Sequence, residues 1–557
     1  MRRLIVLAVM LVAALASLGY WAWLGRPVSM PDAPSARVAC VSYTPFRRPG
    51  ESPDQPGAFV SPRRIAHDLK RLSTRFDCVR TYAQGMGLSA VPRIARRFGM
   101  KVLMGVWLSD DRQANASEVR QAIGTAHANP GAIRAIVVGN EVLMRGELSP
   151  GRLVAYIDQV HRATGLPVTY ADGWTLWQQY AHEAGLVHAV SFVTVHILPY
   201  WDTDPVPVNR AVHYVAAIYA RMQQAFPNKR ILIGETGWPS EGKPRRGAVP
   251  SRVSEARYVR RFLRFADAHD VSYNLIESFD QPWKRGLEGT VGGYWGLFDS
   301  HADPKFPLKG PVVEVARWWQ GWLGAAVVAL IFAALGGGGL RQRTLAALAG
   351  LTTGAALAAS IRQMGHAFVG PWPWLLGGVA LLAALATALA TARELAAWCS
   401  NAARGHRHAP WLASPQAHAL WLLALSYVNL LLVFDGRYRD YPIALFIVPA
   451  LWLALCTLAG RSRGLDRVET RLMAAFAALS MVVVLWRGHG ANAEVWMWAL
   501  CNGLMISPWC AGYRADLATR QAKHAQQHRH RAGLGVVEHH RHDAADSRQP
   551  GNGGAAP

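Results

Sequence analysis

The chain has 557 residues, is 51% hydrophobic and has a mean hydropathy of +0.09, which excludes a single soluble domain of ordinary polarity. Its formal net charge is +23, so the first question is whether that excess is a nucleic-acid surface or belongs elsewhere. Six cysteines occur without any C-x-x-C or His–Cys spacing, which argues against a structural metal.

In chain order, the first element is the apolar run Leu4 to Leu24 behind Arg2 and Arg3. It lacks a clean small-x-small cleavage site and is long enough for a hydrocarbon core of about 30 Å, so an uncleaved signal anchor is expected within residues 1–36. Residues 37–311 have mixed polarity, with Pro, Gly and charged residues between short apolar runs. Eight of these runs read as strands: Val38 to Tyr43, Cys78 to Tyr82, Lys101 to Leu108, Ile133 to Glu141, Pro167 to Asp172, Phe192 to His196, Ile231 to Glu235 and Ser272 to Phe279.

Between them, Ser61 to Leu72, Val91 to Phe98, Ser149 to Thr164 and Ser254 to Ala268 have apolar residues three and four apart, with serine available as an N-cap. Alternation of strand and helix predicts an α/β fold, a (β/α)8 TIM barrel. A doubly wound sheet would carry a Gly-rich phosphate loop after its first strand, and none is present.

Two of the runs end in a glutamate, AIRAIVVGNE at Asn140-Glu141 and RILIGE at Glu235. A barrel gathers strand C-termini on one rim, so the two carboxylates are expected together. Tyr82, Trp107, Asp172, His196 and Asp280 end or follow other runs on that rim. Trp174, Trp177, Tyr200, Trp201, Trp238, Trp283, Tyr294 and Trp295 fall in its loops. Aromatic faces suit the apolar faces of pyranose rings, while carboxylates and amides suit their hydroxyls.

Beyond Pro311 the composition changes. Trp318 to Leu340, Thr344 to Ile361, Trp374 to Ala392, Ala417 to Phe434, Tyr441 to Gly460, Leu472 to Trp486 and Val495 to Gly512 read as about seven spans in a membrane domain over 312–512. Arg341 to Arg343, Arg393 to Pro410, Arg461 to Arg471 and the tail after Tyr513 are basic. The alternate connections around Gly365 to Pro373 and Gly488 to Glu494 are nearly free of Lys and Arg, with Arg437 and Arg439 the exceptions.

The positive-inside rule then places the barrel in the periplasm or outside the cell, and assigns the basic excess to loops near anionic lipid. No nucleic-acid partner is needed. Residues 513–557 form a basic, His-rich tail expected to be disordered and cytoplasmic. Cys40 and Cys78 lie on the first two strands, where a disulfide is conceivable, but buried free thiols are expected. Intramembrane charges are scarce, which favours a packing scaffold over a transport path.

The rim motifs resemble those of glycoside hydrolase family 17, the β-1,3-glucanases and glucan-remodelling enzymes. GETGWPS resembles the nucleophile signature, VVGNEV the acid/base segment, CVRTYA the second strand, GMKVLMGVWL the third, and FDQPWK with YWGLFD the last strand and its loop. The resemblance implies Glu141 as acid/base and Glu235 as nucleophile of a retaining enzyme, with Asn140 binding the donor 2-hydroxyl and burial raising the acid's pKa.

It further implies Tyr82, Asp172, Trp174, His196, Tyr200, Trp201, Trp238, Lys284 and Glu288 as substrate-binding residues. Gln281 stands where many members have Glu, so an auxiliary carboxylate role does not transfer to it. No cofactor or metal is implied. With its spans, the chain resembles bacterial inner-membrane proteins associated with β-(1,6)-glucan synthesis. The implied partners are a β-1,3-glucan or oligosaccharide, the lipid bilayer and a separate glucan synthase. Hydrolysis, transglycosylation and a glucan-binding scaffold all remain open at this level.

Overall fold

The computed structural model describes residues 1–400, 415–460, 468–488, 490–508 and 554. The expected tail, apart from Gly554, lies outside them, as do Cys510 and much of the basic connections at 393–410 and 461–471.

Eight parallel strands close a barrel in chain order. They are β1 (Val41–Ser42), β2 (Cys78–Arg80), β3 (Lys101–Val106), β4 (Ile133–Asn140), β5 (Val168–Gly173), β6 (Val193–His196), β7 (Ile231–Thr236) and β8 (Ser272–Leu275). Closure is made by β1 and β8, where Val41 pairs with Leu275. Burial on both faces explains the continuous apolar runs; all six residues of β7 are buried. Helix Pro62–Leu72 shows why the intervening segments are helical. The Ser61 hydroxyl accepts the Arg64 N–H at 3.3 Å, Pro62 fixes the first turn, and Ile65, Leu69 and Leu72 bury one face.

Three local expectations change. The helix expected from Ser254 spans Arg252–Ala268 and is capped by Ser251, whose hydroxyl accepts the Ser254 N–H at 2.9 Å. Ser149 holds the cap position before Pro150–Thr164 but makes no side-chain cap bond. Cys40 and Cys78, expected as free thiols, form a disulfide with Cα atoms 4.3 Å apart. The parallel register that pairs Val41 with Val79 sets the two preceding cysteines side by side, in a small apolar layer with Leu103, Ala135 and Leu232.

Each expected apolar segment outside the barrel is helical: Arg2–Gly25, Trp319–Leu335, Leu340–Ala367, Pro371–Cys399, Pro415–Phe434, Ile443–Leu458, Val468–Arg487 and 493–508. Five described helices are long and apolar enough to cross a membrane, while Trp319–Leu335 and Ile443–Leu458 are shorter. The second of the expected spans is longer than its hydropathy suggested, because Arg341 to Arg343 join its first turn instead of forming a loop. The N-terminal helix belongs to the same bundle: Trp21 donates its indole N–H to the Ala355 carbonyl at 3.1 Å. Pro27–Val28 pairs antiparallel with Val312–Val313, so the chain enters and leaves the barrel through one two-stranded ribbon.

The barrel rests on the bundle through the rim at the C-terminal ends of its strands. Arg285 and Tyr294 donate to the His366 carbonyl at 2.9 and 3.3 Å, and Arg362 pairs with Glu241 at 2.5 Å. Lys243 donates to the Gly436 carbonyl, and Asn492 donates to the Pro244 carbonyl at 3.0 Å. These contacts engage the three connections at 365–373, 435–441 and 488–494 that the charge pattern assigns to the barrel's side.

Candidate active site

Glycine sets both strand ends. In β4, Gly139 has φ 84° and sits where the register with β5 shifts between Val137 and Asn140. The bulge re-aims the two residues that follow it. Glu141 itself has φ 53°, a left-handed conformation that costs an L-residue about 1–2 kcal/mol and is retained where surrounding contacts over-determine it. Its N–H is tied to the Ala171 carbonyl at 2.8 Å. In β7, a Cβ at position 234 would collide with Thr194 of β6, so Gly234 lets the strands approach where the register slips and His196 comes opposite Glu235.

These strand ends converge. His196 Nδ1 lies 3.0 Å from Glu141 Oε1, and its Nε2 lies 3.6 Å from Glu235 Oε1. One carboxylate oxygen of each glutamate and a ring nitrogen of His196 all lie within 4.8 Å of one another. Arg80, only 1% exposed, donates to Glu235 Oε1 at 3.1 Å and to Asn140 Oδ1 at 2.6 Å. The Tyr82 hydroxyl donates to Glu235 Oε1 at 2.8 Å and lies 3.0 Å from Ser42 Oγ. Because Arg80 occupies the Asn140 carbonyl oxygen, the Asn140 amide N–H groups are left for a ligand.

Burial would raise the Glu141 pKa, but the hydrogen bond and charge of His196, with the charges of Arg80 and Arg145, hold it below the usual carboxylate range. The expectation of a raised acid pKa is therefore reversed, because an imidazole stands between the two carboxylates. Burial would lower the His196 pKa; Glu235 and Glu141 outweigh it and raise it. Glutamate 141, His196 and Glu235 also have metal-ligand spacing. The fixed guanidinium of Arg80 on Glu235 repels a further cation there.

The cleft over this group has a volume of about 940 Å³, ample for several sugar units within the usual range of ligand pockets. Tyr82, Asn140, Trp174, His196, Lys284 and Glu288 line it, together with the two glutamates and Trp201. Trp107, Trp283 and Trp295 add aromatic wall.

Asp172, Tyr200 and Trp238, expected to contact substrate, do not line the cleft. Asp172 is wholly buried beneath it, where it accepts from the Tyr170 hydroxyl and from the Gly173 N–H at 2.7 Å. Burial pushes its carboxyl up to about 6. Tyr200 and Trp238 pack edge-to-face at 6.1 Å and donate to the carbonyls of Lys243 (2.5 Å) and Val249 (3.1 Å). Their polar ends hold the β7 loop, so their rings are consumed as wall support.

Two charged groups were missed. Arg80 lies inside CVRTYA, where a buried charge in an otherwise short apolar strand was the available signal. Glu277, wholly buried, accepts from Lys284 Nζ at 2.8 Å and Gln281 Nε2 at 2.5 Å. It was hidden in the run assigned wholly to the last strand, which stops at Leu275. Burial opposes charge on Lys284, yet Glu277 and Glu288 outweigh it and hold the ammonium charged. Gln281 thus acts as a donor to a carboxylate supplied from four residues earlier.

Residues 40–296 match the family described as the BtgE/BtgC glycoside hydrolase domain. The "Probable beta-glucosidase btgE" of Aspergillus fumigatus is 27% identical over 268 residues, covering 47% of this chain and 45% of that protein. The "Glucan 1,3-beta-glucosidase" of Saccharomyces cerevisiae is 23% identical over 262 residues, covering 43% of this chain and 83% of that one. The chain thus spans less than half the length of the Aspergillus relative. Among solved structures, an active-site mutant of the Rhizomucor miehei β-1,3-glucanosyltransferase in complex with laminaritriose is similar at 22% identity with a TM-score of 0.43, over 50% of this chain and 98% of that one.

Proposed function

We propose that the barrel is a retaining β-1,3-glucan-active enzyme that works by double displacement, anchored in a bacterial inner membrane with its catalytic rim on the periplasmic side. The observation that carries this reading is the pair of carboxylate oxygens within 4.8 Å across the rim. Retaining glycosidases hold their carboxyl groups about 5–5.5 Å apart, whereas inverting ones need room for a water between them.

In the first step Glu235 attacks the anomeric carbon, the bond from that carbon to the leaving oxygen breaks, and Glu141 supplies the proton that the leaving oxygen takes up. His196, whose imidazolium Glu235 and Glu141 favour against burial, is the source of that proton, and the 3.0 Å contact to Glu141 Oε1 is its path. A bound sugar removes water from Glu141 and raises the cost of its charge, which drives the transfer. In the second step water or a sugar hydroxyl attacks the glycosyl-enzyme, Glu141 takes its proton, and Glu235 leaves as a carboxylate. The amide N–H groups of Asn140 serve the donor 2-hydroxyl. Arg80 and Tyr82 hold Glu235 in place through their hydrogen bonds to its Oε1.

The apolar helices among the described residues, the basic composition of residues 393–410 and 461–471 in the sequence, and the disulfide, a feature of oxidising compartments, together support the membrane and periplasmic assignment. A tethered barrel is better placed to remodel or branch glucan emerging from a separate synthase than to digest distant polymer, which favours transfer over hydrolysis. A glucan-binding scaffold without catalysis is the competing reading. The test is to incubate the detergent-solubilised chain with end-labelled laminari-oligosaccharides and to follow product length and linkage by mass spectrometry and NMR. Products longer than the substrate or branched at the 6-hydroxyl identify a transferase, shorter products alone a hydrolase. No turnover would leave the scaffold.

A further inference from the structure

The rim is not built by the barrel alone. Arg437, in the connection between helices Pro415–Phe434 and Ile443–Leu458, lines the same cleft as Trp201, Asp202, Lys284 and Glu288. Its guanidinium carbon lies 5.9 Å from the Trp201 ring centroid and 5.5 Å from that of Tyr438. The side chain is exposed, and among the described residues no carboxylate is in ion-pair contact with it. Its neighbour Arg439 is paired with Asp435 at 2.9 Å. One of the two arginines that break the charge rule is thus neutralised within its own loop, and the other is presented to the cleft.

The loop is held in place. Lys243, from the β7 loop, donates to the Gly436 carbonyl and lies 4.5 Å from the Tyr441 ring centroid. Thr290 donates to Asp440, and the backbone at Gly289 approaches Tyr438 so closely that a Cβ there would collide with its carbonyl. Tyr438 meets Trp201 edge-on at 6.4 Å, while the nearly parallel face of Trp295 stacks on Trp201 at 6.2 Å. With its ring engaged by Trp295 and by Arg437, Trp201 offers little free face to a sugar. The group it presents at this end of the cleft is the guanidinium.

We infer that Arg437 is a sugar-binding residue supplied by the membrane domain, so that the glucan subsites at this end of the cleft are complete only in the full chain. A guanidinium has a planar fork of donors and no acceptor, which suits the hydroxyl oxygens of a pyranose unit, and the rings of Trp201 and Tyr438 flank it. The inference rests on the reading of the cleft as a glucan site and adds a subsite to it.

The test uses the full chain in detergent or nanodiscs, with laminari-oligosaccharides of three to about eight units as substrates. In Arg437→Ala, KM for the longer oligosaccharides rises about tenfold, the loss expected for hydrogen bonds from a charged donor, while kcat changes far less. Arg437→Lys recovers part of the loss. Arg439→Ala, in the same loop but paired with Asp435, behaves as wild type and reports that the loop is intact. Equal KM values for wild type and Arg437→Ala across the series overturn the inference while leaving the glucan reading in place. A wild-type chain that turns over none of the series overturns the glucan reading and this subsite with it.

Discussion

In the barrel, Arg80 pairs with Glu235 and the partly buried Lys284 with Glu277, whereas among the described residues the hydrogen bonds between buried side chains of the bundle join neutral groups. Asn429 donates to Asn502 at 2.8 Å and accepts from Trp498 at 2.8 Å, and Trp452 donates to Thr353 at 3.2 Å. Burying a charge is expensive unless a partner and hydrogen bonds offset it, and the cost is tolerated where the charge does chemistry. The difference teaches that charged side chains are concentrated at the rim proposed as catalytic, while the bundle uses small residues and neutral bonds to pack and to present loops to that rim.

The comparison breaks most sharply at Glu235, the proposed nucleophile. Glu235→Gln should lower kcat on laminari-oligosaccharides by about 10⁴-fold, a size typical for loss of a catalytic group acting within a unit, and should abolish trapping of a glycosyl-enzyme in intact-mass spectra. Retained turnover would remove Glu235 from the chemistry.

Next in size is the disulfide. It closes a separation of 38 residues, so Cys40→Ala with Cys78→Ala should cost the barrel roughly 2–4 kcal/mol, read as an earlier barrel transition in denaturant while helical signal from the bundle persists. Simultaneous loss of both signals would show one cooperative unit instead of two.

A smaller effect concerns protons. The His196 pKa is raised by Glu235 and Glu141 despite burial, so its imidazolium persists above the ordinary imidazole range and is lost as pH rises through that value. The alkaline limb of the kcat/KM profile should follow this shared proton. In His196→Gln only Glu141 remains to hold it, so the limb should move to lower pH, towards the carboxylate range. A limb that stays where it was would take His196 off the proton path.

The smallest effect is expected in the bundle. Asn429→Leu removes the partner of Asn502 Oδ1 and of Trp498 Nε1 and should cost about 0.6–2 kcal/mol, seen as a modest fall in thermal midpoint in detergent. Turnover at a temperature below that midpoint should be unchanged, because the network is remote from the rim. A large loss of activity would mean that the two regions are coupled more tightly than their chemistry suggests.

Much of this was legible along the chain. The eight strands and eight apolar helices were found because their signals are local: side chains of a strand alternate or bury continuously, helical faces repeat every three to four residues, and a bilayer demands a long apolar run. Strand-end glutamates on one rim follow from barrel topology, so the pairing of Glu141 with Glu235 is legible in the sequence.

Three-dimensional closure decided the rest. It brought Arg80 to Glu235 across 155 residues and Lys243 to Gly436 across 193, it joined Cys40 to Cys78, and it turned Tyr200 and Trp238 into wall support. A sequence records which residues are apolar, charged or turn-forming, but which side of a loop aromatic faces inward depends on what packs against it. For the same reason Arg437 stood out in the sequence only as an exception to a charge rule. Its place beside the cleft exists because helices far along the chain hold that loop against the rim.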